Sequence, residues 1–192
     1  MGKIYYIMGK SASGKDTIYN KLFEECPEIK GITLYTTRPK RDDETDGRQY
    51  YFVSEEELSE LDKKGKIIEK RVYHTIHGLW SYATIDDGQI NFNNGNYVVI
   101  GTLDSYNSMI KYFGNKNIVP VYIELDNGTR LTRALNREKL QKEPKYTEMC
   151  RRFLADEIDF SPEKLQKAGI IKKYINEDLR KCLDEIKKNI EY

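Results

Sequence analysis

The residues most able to do chemistry form the pattern Gly-x4-Gly-Lys, which follows a short apolar run near the start of the chain. Gly9 and Gly14 let the backbone turn so that its N–H groups converge on one anion. Lys15 adds a positive charge, and a helix from Thr17 adds the positive end of its dipole. The spacing therefore predicts a site for nucleotide phosphates. The alternative is an ordinary strand-to-helix turn with an exposed lysine.

Asp16 stands where a phosphate loop of this spacing has Ser or Thr, whose hydroxyl binds Mg²⁺. A carboxylate oxygen is also a good Mg²⁺ ligand, but without the metal it puts a negative charge beside the phosphates. Thr17 has a hydroxyl, yet one residue further along a helix the side chain points about 100° away. We therefore expect Asp16 to hold Mg²⁺, directly or through water.

A second candidate site lies downstream, where Arg38 and Arg41 precede Tyr50. Each guanidinium group can bind two phosphate oxygens, and a phenol can bind a third. The segment therefore predicts a clamp for the phosphate of an acceptor molecule. A solvated basic turn is the alternative, but the phosphate loop earlier in the same chain favours the clamp.

At these positions the chain resembles the guanylate kinase family over nearly its whole length. The residues that carry the resemblance stand in the family's order: Thr36, Thr37, Arg38, Arg41, Glu44, Gly47, Tyr50, Phe52, Val53, Ser54, Glu69, Tyr82, Ala83, Thr84, Arg133, Arg137, Arg152, Phe153, Asn176, Glu177, Asp178 and Leu179. The resemblance implies that the protein uses ATP and Mg²⁺ to phosphorylate GMP, or dGMP, giving GDP or dGDP.

The resemblance also implies the roles of individual residues. The ATP-binding set is Gly9, Ser11, Ala12, Ser13, Gly14, Lys15, Asp16, Thr17 and Asn176. The metal role of Asp16 is expected from its carboxylate chemistry, not from the resemblance. The acceptor-binding set is Arg38, Arg41, Tyr50, Glu69, Tyr82 and Thr84. The catalytic set is Lys15, Arg38, Arg133, Arg137 and Arg152. Glu69 is expected to accept from N1–H and the N2 amine of guanine, a donor pair that adenine lacks.

Arg133 and Arg137 lie four residues apart, which places them on one face of a helix. Together with Arg152 they are expected to close over the transferring phosphoryl group. The alternative is a solvated face on which they pair with Glu138 and Asp156.

Two further departures from the family pattern affect the acceptor site. Leu34 stands where the family has a serine that touches the base. Gly101 stands at the first position of an Asp-x-Asp that helps to place the acceptor nucleoside, and Asp104 is one residue beyond the second. Together with Asp16, these departures leave a second class of acceptor open.

Related ribose 1,5-bisphosphate phosphokinases also have Gly-Lys-Asp in the loop, so a small phosphate acceptor is the alternative substrate. Glu69, Tyr50 and Thr84 around a purine favour GMP. A third possibility is a non-catalytic module that binds phosphopeptides. Such modules typically lose the loop lysine and the lid arginines, all of which this chain has.

His74 and His77 are three residues apart and close to Trp80. Because no third ligand is obvious, we expect hairpin side chains near the base site rather than a metal centre. Trp80 either stacks on a base or packs on Leu79, and packing is favoured.

Apolar runs and helical periodicity alternate along the chain, which predicts an α/β fold with a parallel sheet of the P-loop NTPase type flanked by helices. The expected strands are Ile4–Met8, Tyr51–Val53, Ile67–Tyr73, Tyr97–Ile100, Val119–Leu125 and Lys173–Ile175. The expected helices are Thr17–Glu25, Asp104–Phe113, Gly128–Glu138, Thr147–Asp159 and Asp178–Ile190. We expect one domain over residues 1–192, with a core (1–32 and 96–192), a nucleoside-monophosphate-binding insertion (about 33–95) and a lid (about 138–147).

Bulk properties narrow the partners. The formal net charge is +1, so no basic excess points to nucleic acid. No apolar stretch reaches the length of about 20 residues that crosses a bilayer, and the strand near Ile4 leaves no room for a signal peptide. Three cysteines without C-x-x-C spacing favour a reducing cytosol. We expect a cytoplasmic monomer or homodimer.

Overall fold

The computed structural model describes residues 1–42, 44–75 and 78–190. Its strands are β1 (Ile4–Gly9), β2 (Lys30–Gly31), β3 (Leu34–Thr36), β4 (Tyr50–Phe52), β5 (Ile67–Thr75), β6 (Gly78–Ile85), β7 (Tyr97–Ile100), β8 (Ile118–Glu124) and β9 (Lys173–Ile175). Its helices are α1 (Lys15–Glu25), α2 (Glu55–Lys63), α3 (Leu103–Phe113), α4 (Asn127–Lys139), α5 (Tyr146–Asp159), α6 (Pro162–Lys167) and α7 (Leu179–Lys188).

A parallel five-stranded sheet in the order β2-β7-β1-β8-β9 forms the centre of the fold. Alternate residues of β1 point to opposite faces. Tyr6 packs in one buried cluster with Leu103 and Met109 of α3. Ile7 packs in the other with Leu22 of α1 and with α7. Both faces are covered by helices, which confirms the predicted α/β class.

A second, four-stranded sheet in the order β4-β3-β6-β5 lies between β2 and β7 in sequence. Strands β5 and β6 pair antiparallel, while β3 and β4 pair parallel. Helix α2 begins with a capping box, because Ser54 accepts from the amide of Glu57 and the Glu57 carboxylate accepts from the amide of Ser54. Helix α3 packs against β5 and so connects this sheet to the central one.

The expected strands are found within two residues of their predicted ends, but several elements differ. Helix α1 begins at Lys15 rather than at Thr17, because Gly14 is its N-cap with φ 89°. Strands β2, β3 and β6 and helices α2 and α6 were not predicted. Within the described ranges, every helix is too short or too polar to span a membrane.

Candidate active site

The phosphate loop joins the end of β1 to the start of α1. Gly14 has φ 89°, a conformation that strains any other residue, and a Cβ there would collide with the side-chain amide of Asn176. Ala12 also has a positive φ, of 62°. The amide of Ser13 closes the turn by donating to the carbonyl of Lys10 over 3.1 Å. The loop is therefore a tight turn whose shape depends on glycine.

Arg130 of α4 holds this loop in place through hydrogen bonds. Its guanidinium is only 1% exposed and donates through Nε to the Ser11 carbonyl, 3.0 Å away. It also donates to Asp156 over 3.1 Å and to Glu157 over 2.8 Å. The Asp156 carboxylate in turn accepts from the Ser11 amide over 2.7 Å. Helices α4 and α5 thus hold both the N–H and the C=O of one loop residue.

Asn176 lies just after β9, is 2% exposed, and donates to the carbonyl of Ser13 over 2.7 Å. Among the described residues, its Oδ1 and the Ser13 Oγ have no hydrogen-bond partner although both atoms are buried. The structure therefore places this predicted ATP-binding residue against the loop backbone.

Lys15, Asp16 and Thr17 form the first turn of α1. The Lys15 ammonium lies 3.8 Å from the Asp16 carboxylate, and that carboxyl group is 78% exposed. Thr17 is exposed as well. No cluster of three His, Cys, Asp or Glu side chains able to hold a metal occurs in residues 1–42, 44–75 and 78–190. A metal at Asp16 would therefore need further oxygen ligands from a bound molecule.

The lid arginines lie on the two helices that flank residues 140–145. Arg133 reaches over the loop, since its Nη1 is 3.7 Å from where a Cβ of Gly14 would be. Arg152 donates to the Ser11 hydroxyl over 3.4 Å. Arg137 is exposed one turn beyond Arg133 on α4. Two of the three arginines thus lie beside the phosphate loop.

Glu138 and Asp156, the carboxylates considered as partners for these arginines, make other contacts. Glu138 accepts from the backbone amide of Lys145 over 3.0 Å. Asp156 is bound by Arg130, as described above. These contacts argue against a purely solvated, ion-paired face.

The predicted clamp is built around Arg38, which is 4% exposed. Its Nη1 and Nη2 donate to the two Glu44 oxygens over 2.9 and 2.7 Å. Hydrogen bonds from Arg38 hold the pKa of Glu44 at about 2. The guanidinium lies 5.6 Å from the ring centroid of Tyr50, which also contacts the ring of Tyr82. Arg41 is exposed and donates its backbone amide to Glu44.

Glu69 and Thr84 lie opposite each other on β5 and β6, and the Thr84 hydroxyl donates to Glu69 Oε1 over 2.9 Å. A residue not predicted for the site completes this group. Arg71 donates from Nε to Glu69 Oε2 over 3.1 Å and from Nη2 to Oε1 over 3.3 Å. Strand alternation places Glu69 and Arg71 on one face, a signal that was present in the sequence.

The side chain of Tyr6 in the central strand β1 explains why residue 101 is a glycine. A Cβ at Gly101 would collide with the Tyr6 hydroxyl, so an aspartate cannot stand here beside this tyrosine. Burial raises the pKa of Tyr6, and the charges of Arg71 and Glu69 also act on it. A tyrosine from the central sheet is therefore close enough to interact electrostatically with the Arg71–Glu69 pair. Leu34 packs partly buried against the same core cluster.

Helix α1 and the predicted clamp interact electrostatically through Tyr19 and Tyr50. Tyr19 lies four residues after Lys15, on the same face of α1. Burial raises the pKa of Tyr19 to about 12, and Tyr50 of the clamp adds to this shift electrostatically. Tyr50 in turn experiences the charges of Arg38, Arg71 and Glu44. Helix α1 and the clamp segment are therefore close enough to interact electrostatically.

The histidine stretch lies at the far end of the β5–β6 hairpin. His74 is exposed and pairs in register with Leu79, and Trp80 pairs with Tyr73. His77 lies outside the described residues. The packing expected of Trp80 on Leu79 stays a prediction.

Sequence reasoning missed several residues that shape the site. Tyr6, Arg71, Arg130 and Glu157 lie outside the two motifs. Lys10 lies inside the phosphate loop and donates to Glu157 over 2.6 Å. Arg130 precedes Arg133 by three residues and faces inward, which only its burial reveals.

Comparison with known proteins points to one family. The sequence profile of guanylate kinase matches residues 1–151. The guanylate kinase of Symbiobacterium thermophilum is 41% identical over 78 residues, which cover 40% of this chain and 37% of that protein. The guanylate kinase of Thermotoga maritima is 32% identical over 101 residues, covering 52% and 46%. The matched region thus spans less than half the length of these relatives.

A solved structure is similar over a longer range. The crystal structure of guanylate kinase from Anaplasma phagocytophilum aligns with 98% of this chain and 84% of its own, with a TM-score of 0.68 and 20% identity. At that identity the likeness shows a shared fold.

Proposed function

The chain belongs to the guanylate kinase family, and from that premise we propose that it transfers the γ-phosphoryl group of ATP to GMP or dGMP. The observation that carries the proposal is the closeness of the Lys15 helix and the Arg38 clamp: Arg38 lies 5.6 Å from the Tyr50 ring centroid, and Tyr50 interacts electrostatically with Tyr19 of α1. Phosphoryl transfer asks the protein to hold two phosphates in line and to neutralise charge on the moving group. Two cationic groups on neighbouring segments suit that task.

The donor phosphates would be held by the loop amides between Ala12 and Lys15, with the Lys15 ammonium beside them. Arg133 and Arg152 lie next to the loop and supply positive charge where the γ-phosphoryl group leaves. Asn176 contributes by fixing the loop backbone at Ser13. Arg137 would join when residues 138–147 close over the phosphate loop and exclude water.

The acceptor phosphate would meet the Arg38–Arg41–Tyr50–Tyr82 group. Glu44 fixes the Arg38 guanidinium in one orientation, so the remaining N–H donors are aimed before substrate arrives. Arg41 is exposed and free to turn toward the phosphate. The base then lies toward Glu69 and Thr84 on β5 and β6.

Asp16 suits Mg²⁺, because Mg²⁺ is commonly bound by one or two carboxylates together with substrate phosphates and water. When bound there, the metal would neutralise charge on the ATP phosphates. Asp16 would hold it, and Lys15 would keep its own contact with phosphate oxygens.

ADP-release assays with GMP, dGMP, AMP, UMP and ribose 1,5-bisphosphate test this proposal. We expect turnover with GMP or dGMP that is lost in Lys15→Ala and kept in Lys188→Ala, an exposed lysine on α7. Turnover only with the sugar phosphate would overturn the proposal. So would no turnover with any acceptor together with binding of a phosphopeptide.

The division of the chain rests on the same proposal. We assign the four-stranded sheet to the acceptor-binding insertion at about 33–95, and residues 138–147 to the lid. Protection of 138–147 from trypsin when both nucleotides are present tests the lid. Cytoplasmic location and a monomeric or dimeric state stay predictions.

A further inference from the structure

Both oxygens of the Glu69 carboxylate accept hydrogen bonds from groups of the protein itself. Oε1 accepts from Thr84 and from Arg71 Nη2, and Oε2 accepts from Arg71 Nε. Two parallel N–H···O bonds from one guanidinium give the pair a fixed geometry. The carboxylate expected to read guanine is therefore bound to a cation within its own strand.

The pair is part of the folded site rather than a surface contact. The Glu69 side chain is 3% exposed and the Arg71 side chain 19%. Burial works against the charge of Arg71, but Glu69 and the nearby tyrosines Tyr6 and Tyr73 prevail and raise its pKa overall. Arg71 also pairs in register with Tyr82, so it lies between Glu69 and the phosphate clamp.

A satisfied carboxylate changes how the site discriminates between bases. A site that hydrogen-bonds a substrate amine rejects analogues without it by about 10⁴ to 10⁵, because its own buried polar group is then left unpaired. At this site the missing partner of Glu69 is replaced by Arg71. An analogue that lacks the N2 amine loses one hydrogen bond, but the buried Glu69 carboxylate is not left unpaired.

The remaining Arg71 donors suit an oxygen on the base. A guanidinium has five N–H groups, and two of them bind Glu69. A 6-oxopurine has an N1–H donor for the carboxylate and an O6 acceptor for the guanidinium. Adenine has the opposite pattern at both positions and stays excluded.

Building on the proposed function, we propose that Arg71 is a specificity-determining residue that widens the acceptor class to 6-oxopurine nucleoside monophosphates with or without the 2-amino group. IMP is the simplest acceptor that separates this class from GMP alone. Arg71 acts on the base through Glu69 and through O6, and takes no part in the phosphate clamp.

The test compares kcat/KM for GMP, IMP and AMP in the wild type, Arg71→Met and Lys70→Ala. Lys70 is the exposed neighbour on the opposite face of β5 and serves as the matched control. We expect the wild type to prefer GMP over IMP by less than about a hundredfold and to reject AMP. Arg71→Met should raise the GMP-to-IMP ratio at least about tenfold, mainly through KM for IMP, while Lys70→Ala leaves it unchanged.

The wild-type ratio decides the matter even if Arg71→Met does not fold. Good GMP turnover with IMP rejected by about 10⁴ or more overturns this inference and leaves the proposed function intact. A folded Arg71→Met with an unchanged ratio also overturns it, as does AMP turnover comparable to IMP. Turnover of ribose 1,5-bisphosphate without any purine nucleotide overturns both proposals.

Discussion

The Arg130 guanidinium donates to the Ser11 carbonyl over 3.0 Å and so joins helix α4 to the phosphate loop. The same group binds Asp156, whose carboxylate accepts from the Ser11 amide. The loop that would hold ATP is therefore stabilised by residues more than a hundred positions later in the chain. Its shape depends on how α4 and α5 pack.

Arg130→Met is expected to lower the free energy of unfolding by about 3 kcal/mol, since it breaks a buried ion pair. The loss is near the lower limit for such a pair because solvent reaches the Glu157 carboxylate. It should also weaken ATP binding by loosening the loop. Urea denaturation and ATP titration measure the two effects. Arg151→Met is the control, since Arg151 is an exposed partner of Glu148 on α5 and should cost less than about 1 kcal/mol. Equal losses in both variants would contradict the prediction.

Gly101→Ala is expected to destabilise the fold by about 1–3 kcal/mol, because the new methyl group meets the Tyr6 phenol. Combining it with Tyr6→Val should cost at least about 1 kcal/mol less than the sum of the single changes. Thermal or urea unfolding of the three variants measures this coupling. Gly128→Ala, which meets only Asp126 at 3.2 Å, should stay within about 1 kcal/mol of wild type. If the free-energy changes of the two single variants simply add in the double variant, Tyr6 does not exclude a side chain at position 101.

Acidification should remove the contribution of Glu44. Its folded pKa of about 2 lies below the ordinary value of 4.5, so the stabilisation is full above about pH 4.5 and is lost as the pH falls toward 2. Glu44→Gln should be less stable than wild type at pH 6, with a smaller gap at pH 3. Urea unfolding at both values checks this, with Glu28→Gln, at an exposed site, as control. Parallel pH profiles for wild type and Glu44→Gln would refute it.

Asp16→Ala is expected to raise the Mg²⁺ concentration needed for half-maximal ATP binding by at least about tenfold, since a ligand to the metal is lost. Calorimetric titration of ATP at several Mg²⁺ concentrations gives this value without relying on turnover. Thr17→Ala is the neighbouring control and should change it little. If Thr17→Ala alone shifts the Mg²⁺ requirement, the ligand is the hydroxyl and the assignment to Asp16 is wrong.

The parts of the fold that were predictable depend on neighbours in sequence. Buried parallel strands give continuous apolar runs, so β1, β7 and β8 stand out. Strand β6 was missed because its pairing with β5 is a contact between segments, which short-range patterns do not show. The first turn of α1 was missed because the left-handed conformation of Gly14 lets the helix begin directly after it.

By itself the sequence indicated the Gly-x4-Gly-Lys turn, the Arg–Tyr segment and the long elements of the core, since each depends on residue types at short spacing. Tertiary structure alone decided what surrounds them. Tyr6 fills the space beside Gly101, and Arg130 is hydrogen-bonded to Ser11. The Arg71–Glu69 pair is buried rather than solvated. The physical reason is that a charge or phenol gains its role from the groups packed around it, and packing joins residues far apart in the chain.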